Sequence, residues 1–548
     1  MIQGMKPVRF AALALAACVA PPIIAQGPSP AADEQTRWWT HVRTLADDNL
    51  EGRQTGTEGY RKAAAYVAEQ FERAGLKPAG TKGYFQSVQF TSRRIVEAQS
   101  QVVLVRGGKA GTEDVLRFGD DVTISLRAEL TPNVEAPMVF AGYGLSAPDA
   151  GHDDLAGLDL QGKIAVFIAG TPASITGAPA AHYQNWGVRW PALKAAGAIG
   201  AVSIPNPKIA EQPWAQTAPS RLNPVMTLVD PRFNDLAGMK VSASINPASA
   251  ERLFAGSGRT FADLLALASD RKPLPRFALP STLRARVTLD STTIESDNVA
   301  ALLPGGDPTL AREHVVLTAH LDHVGIGAAV NGDRIYNGAM DNASGIATLI
   351  EVARQLAAAA SRPKRSVVFV AVTAEEHGLL GSRYFAGEPT VPKASIIANI
   401  NMDMFLPLFP MKSVMVLGLD ESDLGDRLRE VAARSGLAVM ADSQPERNRF
   451  TRSDQYSFIR QGVPALAMKV GFEPGSPEAA IDTRWTKERY HQPADDLQQP
   501  VDLGAAVTFT RLVGALSADI ANHPARPQWK ASSFFKRFEH TEGSKQPD

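Results

Sequence analysis

The amino-acid sequence predicts an α/β fold: a mostly parallel central sheet flanked by helices, into which a β-rich segment is inserted. Two observations carry this. After Asn298, short apolar runs alternate with stretches of helical period, as in a sheet covered on both faces. Between residues 91 and 280 the texture differs, with short β-like runs separated by Gly, Pro and Asp turns. A chain of 548 residues at about 100–200 residues per domain has room for both units.

Taken in order, Lys6 and Arg9 precede an apolar run from Phe10 to Ala20, followed by small residues. This is the shape of a secretory signal, residues 1–25, and it is too short to span a membrane as a mature helix. Two processing readings stand. Cleavage could follow Ala25. Alternatively, Leu15-Ala16-Ala17-Cys18 has the form of a bacterial lipobox, which would make Cys18 a lipidated first residue. Either places the protein outside the cytoplasm: periplasmic, an outer-membrane lipoprotein, or extracellular. Residues 26–34 read as a linker. Residues 58–74 predict a helix with Ala63, Ala64, Val67, Ala68 and Phe71 on one face, stopped by Gly75. The turn-rich stretch LEGRQTGTEGY runs into that helix and is a candidate loop near a site.

In the middle segment, strands are expected at 101–105, 138–140, 164–168 and 201–204, and His152, Asp153 and Asp154 read as a solvated turn. Beyond Asn298, strands are expected at 314–318, 366–372, 396–402, 414–417 and 465–470. Helices are expected at 345–360, 378–386, 424–435 and 507–521. From Pro524 the chain is expected to be a polar, frayed tail. The domain limits are therefore 35–95 and 285–522 for the α/β unit, 100–280 for the insert, and 524–548 for the tail.

Composition narrows the function. Lys plus Arg is 56 against 57 for Asp plus Glu, so bulk charge does not drive binding to nucleic acid or anionic lipid. One cysteine excludes a disulfide framework and a Cys-rich zinc site, so any metal would be held by His, Asp and Glu. Such residues gather at the predicted carboxyl ends of strands, where ligand sites of α/β sheets lie. AHLDH supplies His320, Asp322 and His323; NGAMDNASG supplies Asp341; TAEEHG supplies Glu375, Glu376 and His377; NINMDM supplies Asp403; RYHQPADDL supplies Tyr490 and His491. Two zinc ions about 3.5–4 Å apart need two terminal ligands each and one bridging carboxylate. Two His and three carboxylates meet that count, and the Glu375–Glu376 pair can give one ligand and one free base.

The segments AHLDHVG, NGAMDNASGIA, TAEEHGLLGS, NINMDM and RYHQPADDL resemble the zinc-dependent exopeptidase family of the bacterial leucyl aminopeptidase and aminopeptidase Y kind. The resemblance extends to residues 50–80 and covers most of 35–95 and 285–522. VFAGYGL, DLQGKIAVFIAG and LKAAGAIGAVSI resemble a protease-associated domain, which some members carry as an insert. The family implies two Zn2+ per chain, one held by His320, Asp341 and Asp403 and the other by Asp341, Glu376 and His491, with Asp341 bridging. It implies Glu375 as general base acting on metal-activated water, Tyr490 as an oxyanion donor, and Asp322 bonded to the His320 ring. The family often has a cis peptide after the bridging Asp. Where many members read Ser-Asp-His this chain has Gln455, a departure that bears on substrate contacts.

The implied activity is hydrolysis of the amino-terminal peptide bond, with peptides as partners and neither nucleic acid nor a membrane span. The acidic motifs favour a free ammonium group, since no Lys or Arg lies beside them in the sequence until Arg383. Two alternatives stay open. One is a carboxypeptidase of the glutamate carboxypeptidase-like kind, with Arg449 and Arg452 as candidates for a substrate carboxylate. The other is a binding or receptor protein on a catalytically dead fold. A single-zinc glutaminyl cyclase fits less well, because the full ligand set is present.

Overall fold

A computed structural model describes residues 1–4, 30–107, 111–210, 212–447 and 449–539. The signal-like segment and Cys18 lie outside the described residues. Two large sheets organise the chain. The first has ten strands and holds the α/β half. Its centre is four parallel strands, in the order Ser366–Val372, His314–His320, Ile396–Asn401 and Ala465–Val470. All four are almost wholly buried and rich in Val, Ile, Leu and Ala, as strands covered on both faces must be.

The flanks depart from the mostly parallel expectation. Leu289–Leu303 pairs antiparallel with both Ser366–Val372 and Phe85–Ile95, and Ser413–Leu417 pairs antiparallel with Ala465–Val470. The sheet is therefore mixed. The chain entering the middle segment along Phe85–Ile95 returns along Leu289–Leu303 in register, from Val299 opposite Phe85 to Leu289 opposite Ile95. Such a return needs no crossover helix. Val225–Leu228, from the middle segment, then pairs with Phe85–Ile95 as the edge of the same sheet. The middle segment thus contributes to both sheets.

The second sheet has eight strands, including Gln101–Arg106, Asn133–Ala141, Ile164–Ile168 and Gly200–Ile204 near their expected positions. Its interior is separate, with Leu104, Phe140, Ile164, Val166, Phe254 and Leu283 buried together. Asp154 is not in a solvated turn. It is buried and accepts the backbone N–H groups of Tyr143 (3.0 Å) and Leu145 (3.2 Å).

Helices Glu58–Arg73, Ser344–Ala357, Leu380–Gly387 and Leu424–Arg434 form close to where their periodicity puts them. Thr57 Oγ1 caps the first through the Tyr60 N–H (3.2 Å), and its apolar face is the predicted one. Leu503–Asn522 is long and apolar enough to cross a membrane, but most of it is buried. It packs along Ser344–Ala357, and Phe509 stacks on Phe405 at 4.1 Å.

Two segments differ from the sequence reading. The supposed linker gives way at Pro30 to a helix, Pro30–Leu45, that buries Trp38, Val42 and Leu45; proline fits a first helical position because its missing N–H would be unpaired there. The supposed frayed tail is docked as far as residue 539. Trp529 and Phe535 are buried against Tyr456, Ile459 and Ala465, and Trp529 Nε1 donates to the Gly462 carbonyl (2.9 Å). Four aromatics in ten residues supply enough apolar area to hold a segment that is otherwise polar.

Phe535→Ala is expected to destabilise the fold by about 3–5 kcal/mol, the usual cost of emptying a buried aromatic site. A thermal melt should show a lower midpoint; an unchanged midpoint would mean the terminal segment does not contribute to stability.

Candidate metal centre

The register of the central strands creates the site. His320 lies opposite Val372, and Thr318 opposite Asn401. The residues just past three adjacent strands, 321–323, 373–376 and 402–403, therefore emerge together at one end of the sheet. Ala374 adopts a left-handed conformation (φ 55°), turning the chain sharply so that Glu375 and Glu376 follow the strand end directly. Asp341 comes from the segment leading into helix Ser344–Ala357, and the Asp341–Asn342 peptide is cis, as the resemblance implies. His491 comes from the loop after helix Pro477–Glu488.

The five expected metal-holding side chains converge. Asp341 Oδ1 is 3.2 Å from His320 Nε2, and its Oδ2 is 3.3 Å from His491 Nε2. His320 Nε2 also faces Asp403 Oδ1 (3.3 Å), and His491 Nε2 faces Glu376 Oε2 (3.0 Å). One buried carboxylate is thus shared between two imidazole–carboxylate pairs. The set of imidazole nitrogens and carboxylate oxygens suits zinc in its donor chemistry.

The electrostatics favour cations there. Burial alone would lower the His320 pKa, but Glu375, Asp341 and Asp403 outweigh it and hold it well above the ordinary value. Burial likewise opposes the rise at His491, which Glu376 and Asp341 impose. Burial would raise Asp341, yet hydrogen bonds from His320 and His491 and the charge of His323 and His320 keep it well below the carboxylate range. The acidic cluster draws positive charge onto its imidazoles, the demand that divalent cations would meet.

His323, which the motifs left without a role, belongs to this cluster. Its Nδ1 is 2.7 Å from Glu376 Oε1 and 3.9 Å from Asp341 Oδ2, while its Nε2 is buried without a hydrogen-bond partner among the described residues. His323, Asp341 and Glu376 could converge on one ion, as could His320, Asp341 and Asp403. His491 is the better placed of the two histidines for sharing Asp341, because its Nε2 is 3.3 Å from Asp341 and 3.0 Å from Glu376, whereas His323 Nδ1 is 3.9 Å from Asp341. The sequence signal for His323 was its place directly after Asp322 at a strand end.

Asp322 differs from expectation. The His320 ring bonds the Asp322 backbone carbonyl (Nδ1 to O, 3.1 Å), not the carboxylate. An Nδ1–H donated there fixes the tautomer and leaves Nε2 free to face the acids. The Asp322 carboxylate instead accepts the N–H groups of Glu375 (3.1 Å) and Glu376 (3.3 Å) and the hydroxyl of Thr55 (3.2 Å), holding the catalytic-candidate turn. Burial raises the Asp322 pKa to about 6, with His320 opposing.

Arg53, Asp495 and Ser453 were not singled out by the sequence, although Arg53 stands in the stretch LEGRQTGTEGY that was expected to be a loop near a site. Arg53, fully buried in the stretch before helix Glu58–Arg73, donates to the carbonyls of Leu321 (2.9 Å), Asn337 (2.6 Å) and Gly338 (3.0 Å), tying together the two loops that carry the site. Asp495 accepts the N–H groups of Met340 and Asp341 (both 2.9 Å). Ser453 Oγ donates to Asp403 Oδ2 (2.6 Å). Gln455 is buried and structural: its Oε1 accepts from Asn401 Nδ2 (2.8 Å) and its Nε2 donates to the Phe450 carbonyl (2.8 Å). Tyr490 stacks on His491 with ring centres 3.9 Å apart. Burial raises its pKa, and Asp341 and Glu376 add to the rise, so the hydroxyl keeps its proton.

Residues 298–517 match the model of peptidase family M28. Leupeptin-inactivating enzyme 1 of Streptomyces exfoliatus is 31% identical over 178 residues, 32% of this chain and 36% of that protein. Aminopeptidase Y of Saccharomyces cerevisiae is 27% identical over 347 residues, 59% of this chain and 60% of that protein. The match thus spans about a third of the first of these curated relatives and three fifths of the second. An aminopeptidase from Aneurinibacillus sp. strain AM-1 shares the fold, with a TM-score of 0.52 at 17% identity over 88% of this chain and 92% of that one.

Asp495→Asn should test the clamp on Asp341. An amide oxygen cannot accept both N–H groups as the carboxylate does, so about 1–3 kcal/mol of stability should be lost. The expected readout is a lower thermal midpoint with an unchanged circular dichroism spectrum; an unaltered midpoint would show that the clamp is not needed to hold the loop.

Proposed function

We propose that this chain, a member of peptidase family M28 through residues 298–517, is an exported di-zinc aminopeptidase. The observation that carries the reading is Asp341, one carboxylate shared between His320 with Asp403 and His491 with Glu376. Those five residues would hold two zinc ions, which when bound supply Lewis-acid polarisation of a scissile carbonyl and a more acidic water. The N-terminal pattern supports export, with Cys18 a candidate lipid anchor. The three motif segments in the second sheet support reading that unit as a protease-associated domain.

The chain's own groups then divide the work. Glu375 takes a proton from the attacking water and delivers it to the leaving amine nitrogen. Burial raises its pKa well above the ordinary carboxylate value; His320 opposes this, and Glu376, Asp403 and Asp454 add to it. A carboxylate so placed holds a proton readily between the two steps. Glu376, held far lower mainly by His491 against the cost of burial, stays ionised. The Tyr490 hydroxyl donates to the oxygen on which negative charge develops. The acidic surroundings suit a free ammonium group and confine cleavage to the first residue. A carboxypeptidase is the second reading, favoured by one observation: the fold brings Arg127 of the middle segment against Gly378, beside the Glu375–Glu376 turn.

Glu375→Gln is expected to retain its zinc and lose about 10²–10⁴-fold in turnover, whereas Glu376→Gln should lose zinc. The reverse pattern in elemental analysis and peptide assays would swap the two roles.

Unblocked and carboxyl-blocked peptides should both release their first residue, and amino-blocked peptides almost none. Release of the last residue from amino-blocked peptides would replace the aminopeptidase reading with the carboxypeptidase one.

A further inference from the structure

A cavity of about 790 Å³ lies where the second sheet unit meets the α/β half. One wall is the continuation of the catalytic-candidate turn, His377, Gly378 and Leu380, and the facing wall comes from residues 93–129 and 185–236. Six Arg or Lys side chains line it against three Asp or Glu. Some of these cations are already paired. Arg383 and Arg460 share Asp235 (2.6 and 3.2 Å), and Arg232 pairs with Asp230 (2.6 Å) and Glu388 (2.5 Å).

Arg127 is different. It has no hydrogen bond or ion pair among the described residues, and no carboxylate, Glu129 included, reaches it. The residue is exposed to the cavity that it lines, and the protein walls around it lower its pKa. It sits directly against the turn: a Cβ built on Gly378 would approach Arg127 Nη1 to 3.0 Å, and Gly378 has φ +102°. Glycine is needed there both for the backbone and for the close approach. The Gly378 N–H in turn donates to the Glu375 carbonyl (2.8 Å), so the guanidinium lies against the tight turn that carries the proposed base.

A cavity-lining guanidinium with no counter-charge keeps its donors free for a ligand, and its planar fork matches a carboxylate in two hydrogen bonds. We propose that Arg127 binds a carboxylate of the peptide on the leaving-group side of the scissile bond and makes the protein selective for short peptides that present one there. The carboxylate is either the peptide's own C-terminus or an acidic side chain next to the cleavage point. The proposal rests on the peptidase reading of the site, and holds whichever end of the peptide is released.

The test compares wild type, Arg127→Gln and Arg127→Lys, each zinc-loaded, on leucylglycylglycine and its C-terminal amide. A second pair, leucylglutamylglycine amide and leucylglutaminylglycine amide, distinguishes the side-chain source from the terminal one. Wild type should favour the carboxylate member of at least one pair about tenfold to a hundredfold in kcat/KM, chiefly through KM. Arg127→Gln should level that pair while cleaving the uncharged peptides as wild type does, and Arg127→Lys should restore part of the preference. Equal rates on both members of each pair in wild type would overturn the proposal. So would an Arg127→Gln variant that loses charged and uncharged peptides alike, since that is a structural effect. If no peptide is cleaved, the peptidase reading has failed. Calorimetric titration with the same pairs then decides the carboxylate site alone: tighter binding of the charged members that disappears in Arg127→Gln supports it, and equal binding overturns it.

Discussion

The buried carboxylate of Asp341, divided between two imidazoles, is the constraint around which the site is built. An acid at that depth is unfavourable unless positive charge meets both its oxygens. His320 and His491 meet one oxygen each, and the remaining acids, Glu376 and Asp403, complete two donor sets instead of competing for one. The neighbouring structure fixes Asp341 from below: Asp495 takes its N–H, and Arg53 ties the Gly338 carbonyl to the loop that follows His320. Asp322, Asp341, Glu375, Glu376 and Asp403 crowd one small volume and repel one another, and a frame of backbone hydrogen bonds, such as those to Asp322 and from the Asp341 N–H, holds them there.

That frame depends on the parallel centre of the first sheet. Three adjacent strands end at one level, so short extensions from each reach a common point. Asp322 shows how little slack remains. Its backbone carbonyl orients the His320 ring while its carboxylate holds the two N–H groups of the Glu375–Glu376 turn. One residue couples two strand ends, so a shift of either strand would disturb both the proposed metal-holding imidazole and the proposed base. The antiparallel flanks do a different job: they carry the chain out to the second sheet and back along a single pair of long strands.

The second sheet is more than an appendage of the first. Val225–Leu228 pairs into the first sheet, and Tyr183, Arg537 and Asp149 form a hydrogen-bonded group linking the middle segment to the C-terminal segment. This attachment fixes the position of Arg127 relative to Gly378. A guanidinium brought against the turn by the fold itself would bind a substrate at low entropic cost, because it is already in place.

The sequence alone determined the α/β half, the β-rich middle and the residues of the centre. Those features are local. Period and apolar runs mark buried strands and helices, and a strand end rich in His and acid marks a ligand site whatever the rest of the chain does. The mixed sheet was not legible, because strand direction depends on which strands pair, and Phe85–Ile95 meets Leu289–Leu303 across almost two hundred residues. The docked terminal segment was missed for the same reason, since its aromatics count as buried only once Tyr456 and Ile459 are there to cover them. Asp322, His323 and Gln455 were visible as residues, but their bonds were not, because one strand end can offer a carbonyl, a carboxylate or a ring to the same neighbour. Tertiary structure alone decided that Arg127 lies beside the Glu375–Glu376 turn: along the chain the first cation after that turn is Arg383, which is paired with Asp235, and only the packing of one sheet unit against the other brings Arg127 there.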